Sequence, residues 1–230
     1  VAGLDALDDA PLLDLLPPRV QALKHEPHHY SALAEFLLVR ALRSRLGVGQ
    51  TLYWLLQAEV HVAAHRARYA LLADAYLGAC GAQRVELSTQ LALARQLAAV
   101  QQRLRTRAAD DAASGISSSG SSSSSTAAAA VALPLALAPL TQLKWLRLSL
   151  PTDPSVLVKE IVPADSRLMK SAMRPLWITL ASADPVPAPA TSVIFKVGDD
   201  LRQDMLVLNA FSLMDRLWKQ DGLDLRLSVF

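Results

Sequence analysis

From Ser114 to Thr126 the chain is almost entirely Ser and Gly, and four alanines follow at 127–130. A stretch of this kind has almost no apolar surface to bury, so it is expected to be a flexible linker. The apolar run Ala127–Leu140 next to it contains Pro134 and Pro139 and is shorter than the roughly 20 residues of a spanning helix, so it reads as part of that linker. The 230 residues are thereby divided in two, and the halves have different periods.

Before the linker the pattern is helical. Pro17 and Pro18 suit a helix start, where a missing N–H does no harm. Ser31 is placed to cap the next helix, with Glu35 in its first turn. Apolar stripes follow at Leu33, Phe36, Leu37 and Ala41, at Leu52, Leu55, Leu56 and Val60, and at Tyr69, Leu72, Tyr76 and Cys80. Leu93, Leu97, Val100 and Leu104 make the last stripe. Gly47-Val48-Gly49 reads as an interhelix turn. Helices in close succession predict an α-solenoid over residues 1–108, each pair burying its stripe on the next.

After the linker, taken as 109–140, the period changes to two. Leu146, Leu148 and Leu150 alternate with polar residues. Further strands are expected at Val156–Ile161, Leu176–Leu180 and Ser192–Val197, with another at Leu223–Phe230. Between the last two a long helix is predicted to start near Gly198-Asp199-Asp200, with Asp200 and Gln203 as a capping box. Two neighbouring stripes predict a wide buried face on it, one of Val207, Phe211, Met214 and Trp218, the other of Leu206, Ala210, Leu213 and Leu217. An antiparallel sheet followed by one long helix is the plan of a kinase N-lobe, so the fold class is multidomain, α then α+β, with the second domain at 141–230.

Composition narrows the function. A formal net charge of +2 gives no argument for nucleic acid, which is not an expected partner. The single cysteine, Cys80, excludes an internal disulfide and fits a reducing compartment. No signal peptide or transmembrane segment is expected. His61 and His65 have i, i+4 spacing, but no Glu follows His61, and all five histidines read as surface or core side chains. Arg95, Arg103, Arg105 and Arg107 read as a solvated helix face.

The most specific segment is Ile194-Phe195-Lys196-Val197-Gly198-Asp199-Asp200-Leu201-Arg202-Gln203-Asp204-Met205. It sets a Lys near the end of an apolar strand, then a tight turn, then a helix with carboxylates in its first turns. A strand Lys facing a helix carboxylate positions nucleotide phosphates in kinases. Spacing alone leaves open a Lys that is merely solvated. The residues themselves, however, closely resemble the ATP-binding stretch of phosphoinositide 3-kinases. The resemblance continues through Met214-Asp215, Trp218-Lys219-Gln220 and Gly222–Arg226. Upstream, Arg167–Trp177 is similar to the phosphate-binding loop of that family and the strand after it. Val20–Glu26, Leu33–Arg45, Trp54–His61 and Tyr76–Gly81 resemble its helical accessory domain.

The resemblance implies a set of roles. Lys196 would contact the nucleotide phosphates, with Asp204 the helix carboxylate facing it, within ion-pair distance or one bridging water. Ser171 would hydrogen-bond phosphate oxygens. Met169, Pro175, Trp177 and Ile194 would wall the nucleotide cleft. For these four, plain core packing is an equal reading. The cofactors implied are ATP and Mg²⁺, the partner is a membrane phosphoinositide, and a regulatory subunit is a further candidate. The location implied is cytoplasmic and peripheral at membranes. Lys170-Ser171-Ala172-Met173 departs from the class I loop, which carries Lys where Met173 stands, so the class stays open.

The adenine hinge, catalytic loop and metal-binding Asp of the family have no counterpart in these residues. The chain begins with Val and stops in an apparent strand, so it is expected to be a fragment, inactive by itself, with no catalytic residue and no metal ligand. The intact parent would phosphorylate the inositol 3-hydroxyl. Two alternatives are a phosphatidylinositol 4-kinase, which shares the Lys-Val-Gly-Asp-Asp turn, and a non-catalytic helical interaction module with a vestigial N-lobe.

Overall fold

A computed structural model describes residues 8–27, 29–113, 133–140, 147–171, 173–184 and 189–227. The residues expected to form the flexible linker lie mostly outside these. The chain forms two compact units, one of Val1–Val85 with Asp200–Phe230 and one of Glu86–Asp199.

The first unit is helical. It contains α1 (Asp9–Asp14), α2 (Leu16–Ala22), α3 (Ala32–Arg43), α4 (Gln50–Glu59), α5 (Arg66–Ala79), the beginning of α6 (Gln83–Ala113) and, from the far end of the chain, α8 (Arg202–Gln220). Pro17 and Pro18 fall in the first turn of α2. The Ser31 hydroxyl caps α3, accepting from the Ala34 N–H at 3.0 Å. Phe36, Leu37 and Ala41 of α3, Leu52, Leu55 and Leu56 of α4, Tyr69 and Tyr76 of α5, and Cys80 at its C-cap are all buried, as their spacing predicts. The turn Arg45–Gly49 is π-helical, closed by Gly49 N–H donating to the Ser44 carbonyl at 2.8 Å. Gly49 is there because α5 comes too close for a side chain. A Cβ would meet the Tyr76 phenol and stand 2.8 Å from the Ala41 carbonyl. The Tyr76 hydroxyl donates to Gln83 Oε1 at 2.6 Å, and the Tyr69 hydroxyl donates to the Val20 carbonyl at 2.9 Å. His61 and His65 fall in the turns between α4 and α5, so they do not share a helix face.

α8 is the element that departs most from expectation. It packs on α1 and α2 through a charged edge. Arg202 bonds both oxygens of the buried Glu59 carboxylate at 3.1 Å, and Gln21 donates to the same carboxylate at 2.6 Å. Near the other end, Arg216 pairs with Asp14 at 2.5 Å. No residue of α8 is buried, and Leu206, Phe211 and Leu217 are 55%, 44% and 50% exposed. The wide buried face is therefore not formed. The amphipathic pattern reports a face able to be covered, while the two arginines decide which edge is held. The capping box is not formed either. Asp200 accepts from the backbone N–H of Arg202 at 3.1 Å, two residues on, and Leu201 stands at the helix cap. Residues 223–227 are not a strand. Arg226 lies there with φ 51°, a left-handed conformation that interrupts extended backbone.

The second unit is a sheet covered by helices. Its strands are β1 (Leu148–Ser149), β2 (Leu157–Ile161), β3 (Arg167–Leu168), β4 (Leu176–Ser182) and β5 (Thr191–Phe195), and every pairing is antiparallel. β4 is central: β3 and β2 share one of its edges and β5 takes the other. From Glu86 onward α6 belongs to this unit, so Leu97, Val100 and Leu104 bury against the sheet residues Val158, Ile161, Leu176, Ile178 and Leu180. A further helix, α7 over residues 133–140, adds Leu133, Leu137 and Leu140 to the same core. The linker reading extends too far here. Leu at i, i+4 and i+7 is a helix stripe, and Pro134 sits in the first turn, where proline is tolerated. The short β1 is pinned by α6: Glu86 accepts from the Ser149 N–H at 2.9 Å, and Gln90 donates to the Ser149 carbonyl at 2.8 Å.

Candidate nucleotide-phosphate site

Directly paired residues of neighbouring strands share a sheet face. Leu168, Leu176 and Phe195 are in register and turn to the core. Arg167, Trp177 and Ile194, one position on, occupy the opposite face. Ile194 is 57% exposed on it, and the Arg167 guanidinium lies 4.5 Å from the centre of the Trp177 ring. One face of the sheet is thus apolar and closed, and the other is partly open and carries an aromatic ring.

The hairpin joining β3 to β4 stands at the end of that open face. Met169 N–H donates to the Pro175 carbonyl at 2.9 Å, which closes the hairpin. Inside it, Ser171 N–H donates to the Met169 carbonyl at 3.1 Å and Arg174 N–H to the Ser171 carbonyl at 3.0 Å. Arg174 has φ 46°, in the left-handed region. These turns leave Lys170 and Ser171 exposed at the tip, while Pro175 is buried. Pro175 therefore supports the loop from beneath.

Lys196 follows β5 directly, two positions beyond Ile194. Its ammonium pairs with the Asp199 carboxylate across a turn in which Gly198 has φ 84°. A Cβ on Gly198 would stand 3.5 Å from the end of the Met173 side chain, so the turn after β5 and the β3–β4 hairpin touch. Six of the seven expected site residues, Met169, Ser171, Pro175, Trp177, Ile194 and Lys196, thus lie on one hairpin, the adjoining strands and the turn that touches it. Asp204 lies in the other unit, in the first turn of α8.

The sequence reading missed two supports. Gln101 of α6 donates from Nε2 to the Met173 and Arg174 carbonyls, both at 3.0 Å. Arg105, one turn on and read as part of a solvated face, donates to the Val197 carbonyl at 3.5 Å. Their i, i+4 spacing was the available signal. Nothing in it names a partner more than 70 residues away, and the two bonds of Gln101 span 72 and 73 residues.

A cation and an exposed hydroxyl flank a hairpin tip, and an aromatic and aliphatic strip runs behind them. Among the described residues no group of His, Cys, Asp and Glu is arranged to hold a metal ion. No helix among them is long and apolar enough to cross a membrane.

Known proteins resemble the chain along its whole length. Residues 1–89 match the accessory (PIK) domain of the phosphoinositide 3-kinase family. Residues 190–230 match the family described as phosphatidylinositol 3- and 4-kinase. Over 233 residues and the whole of this chain, 39% are identical to the human phosphatidylinositol 4-phosphate 3-kinase C2 domain-containing subunit beta, of which 13% is covered. Phosphatidylinositol 3-kinase 2 of Dictyostelium discoideum is 34% identical over 99% of this chain and 11% of its own length. The alpha subunit from Pongo abelii, of the same description as the human protein, is 35% identical over the whole chain and 13% of its own length. The chain thus spans between a tenth and a seventh of these relatives. Helices lie where the accessory domain matches and a small antiparallel sheet leads into the kinase match, so the chain is similar to the phosphoinositide 3-kinase family in both of its parts.

Proposed function

We propose that the protein carrying this chain transfers the γ-phosphate of ATP to the 3-hydroxyl of a membrane phosphoinositide. The observation that carries the proposal is the cluster of Ser171, Lys196 and Trp177 around one exposed hairpin, in a chain matched along its length by phosphatidylinositol 3-kinases. Lys196 and Ser171 hold phosphate oxygens, and Trp177, Ile194 and Met169 line the cleft for the rest of the nucleotide. Phosphoryl transfer asks for positioning and charge neutralisation more than for covalent chemistry, and a cation with a hairpin tip supplies both. Asp204 is assigned to the phosphate site on family resemblance. Mg²⁺ would supply neutralisation of phosphate charge, and no residue of this chain is proposed as its ligand. The protein works at membrane surfaces from the cytoplasm, with a regulatory subunit as candidate partner. The 230 residues alone do not transfer phosphate.

The test uses the full-length protein with ATP, Mg²⁺ and vesicles containing phosphatidylinositol or its 4-phosphate. A product phosphorylated at position 3 is expected, with turnover abolished in Lys196→Met and folding intact. A 4-phosphorylated product favours the 4-kinase reading. Absence of transfer to either lipid favours the non-catalytic helical module.

A further inference from the structure

We infer that Gln101 is a positioning residue for the nucleotide-phosphate site, holding the β3–β4 hairpin in the shape that presents Ser171. The inference rests on the function proposed above. Gln101 is fully buried, on α6 between Leu97 and Leu104 of the core stripe. Its Nε2 has two N–H groups, and the carbonyls of two consecutive loop residues accept from it, Met173 and Arg174, each at 3.0 Å. Its Oε1 is buried with no hydrogen-bond partner. Leaving a buried polar atom so is destabilising. Leu or Met would fill the same space without that penalty, so packing alone does not account for a carboxamide here.

The loop supplies the reason. Arg174 is a non-glycine residue at φ 46°, and it precedes a proline, a position that favours extended backbone. Such a conformation persists where the surroundings over-determine it. The Arg174 N–H is bonded within the loop to the Ser171 carbonyl. The carbonyls on either side of Arg174 Cα, those of Met173 and Arg174, are fixed from outside by Gln101. The side chain therefore grips the strained residue at both of its peptide planes. Arg105, one turn along α6, bonds the Val197 carbonyl beside Lys196. One face of α6 thus sets both backbone segments that carry the phosphate-facing groups.

The experiment measures nucleotide binding and steady-state kinetics in the full-length protein for Gln101→Leu, Gln101→Met and Lys196→Met. Each Gln101 variant is expected to weaken ATP and ADP binding roughly tenfold, in line with about two net hydrogen bonds. Adenosine binding and the KM for lipid should stay unchanged, and the thermal midpoint should not fall. Equal loss for ATP and adenosine, or loss for neither, overturns the inference. Hydrogen exchange of the wild-type protein is read alongside, so that a poorly folding variant does not decide the matter. The Arg174 amide should be protected well beyond that of Lys170, and equally fast exchange overturns the proposal too. If Lys196→Met leaves ATP binding intact, the site reading itself fails. If Lys196→Met loses ATP and the Gln101 variants do not, only the role of Gln101 is lost.

Discussion

Gly49 and Tyr69 show how single residues hold the helical unit. Gly49 has no room for a methyl group, because the Tyr76 phenol and the Ala41 carbonyl occupy it. Gly49→Ala should destabilise the unit by about 1–3 kcal/mol, the usual penalty of forced overpacking, read as a lower urea midpoint at unchanged slope. Tyr69 is buried and bonded to the Val20 carbonyl. Burial, with the Glu59 charge nearby, pushes its phenol from 10.0 up to about 12. Because the folded value is raised, the stabilising contribution is whole below pH 10 and is lost as pH rises from there through 12. Alkaline unfolding should therefore steepen in that window for the wild type. Tyr69→Phe should show a shallower slope there, whatever its stability at neutral pH.

At the scale of elements, α8 shows what a periodic pattern can convey. Its stripes were legible at the level of helix or no helix, and the helix runs nearly as expected. What the stripes face was not legible, because a hydrophobic period carries no information about the partner. The holding contacts are charges: Arg202 on Glu59 and Arg216 on Asp14. The Glu59 carboxylate is almost fully buried, so removing one member of its pair leaves an uncompensated group. Glu59→Gln and Arg202→Gln should each destabilise the unit by about 1–3 kcal/mol, the larger figures for fully buried pairs being reduced by the partial exposure of Arg202. The double variant should cost clearly less than the sum, and strict additivity in a double-mutant cycle would rule the pair out as the anchor. Phe211→Ser, on the half-exposed stripe, should change the stability of the isolated chain by no more than about 0.5 kcal/mol.

Across the whole molecule, local order was readable and distant pairing was not. Ser31 as a cap, the prolines of α2 and the strands around Leu176 and Ile161 follow from neighbours in sequence. So did the segment around Lys196, because its residues resemble a known family. The placement of α6 against the sheet, the burial of Leu133, Leu137 and Leu140 and the grip of Gln101 on the hairpin depend on residues far apart, where no spacing rule applies. That same separation bears on how the chain folds. In the second unit α6 must find β1 and the hairpin through contacts 59 and 72 residues apart. In the first unit α3, α4 and α5 pack on one another within a short span of chain. Closing large loops before any contact rewards them slows folding, whereas local helix pairs form early. Refolding should be biphasic, with part of the helical circular dichroism regained in an early phase as α3, α4 and α5 pack. The fluorescence of Trp177, followed in a variant with the other three tryptophans replaced by Phe, should recover in a later one. During that interval α3, α4 and α5 would already be packed while the β3–β4 hairpin had yet to acquire a shape.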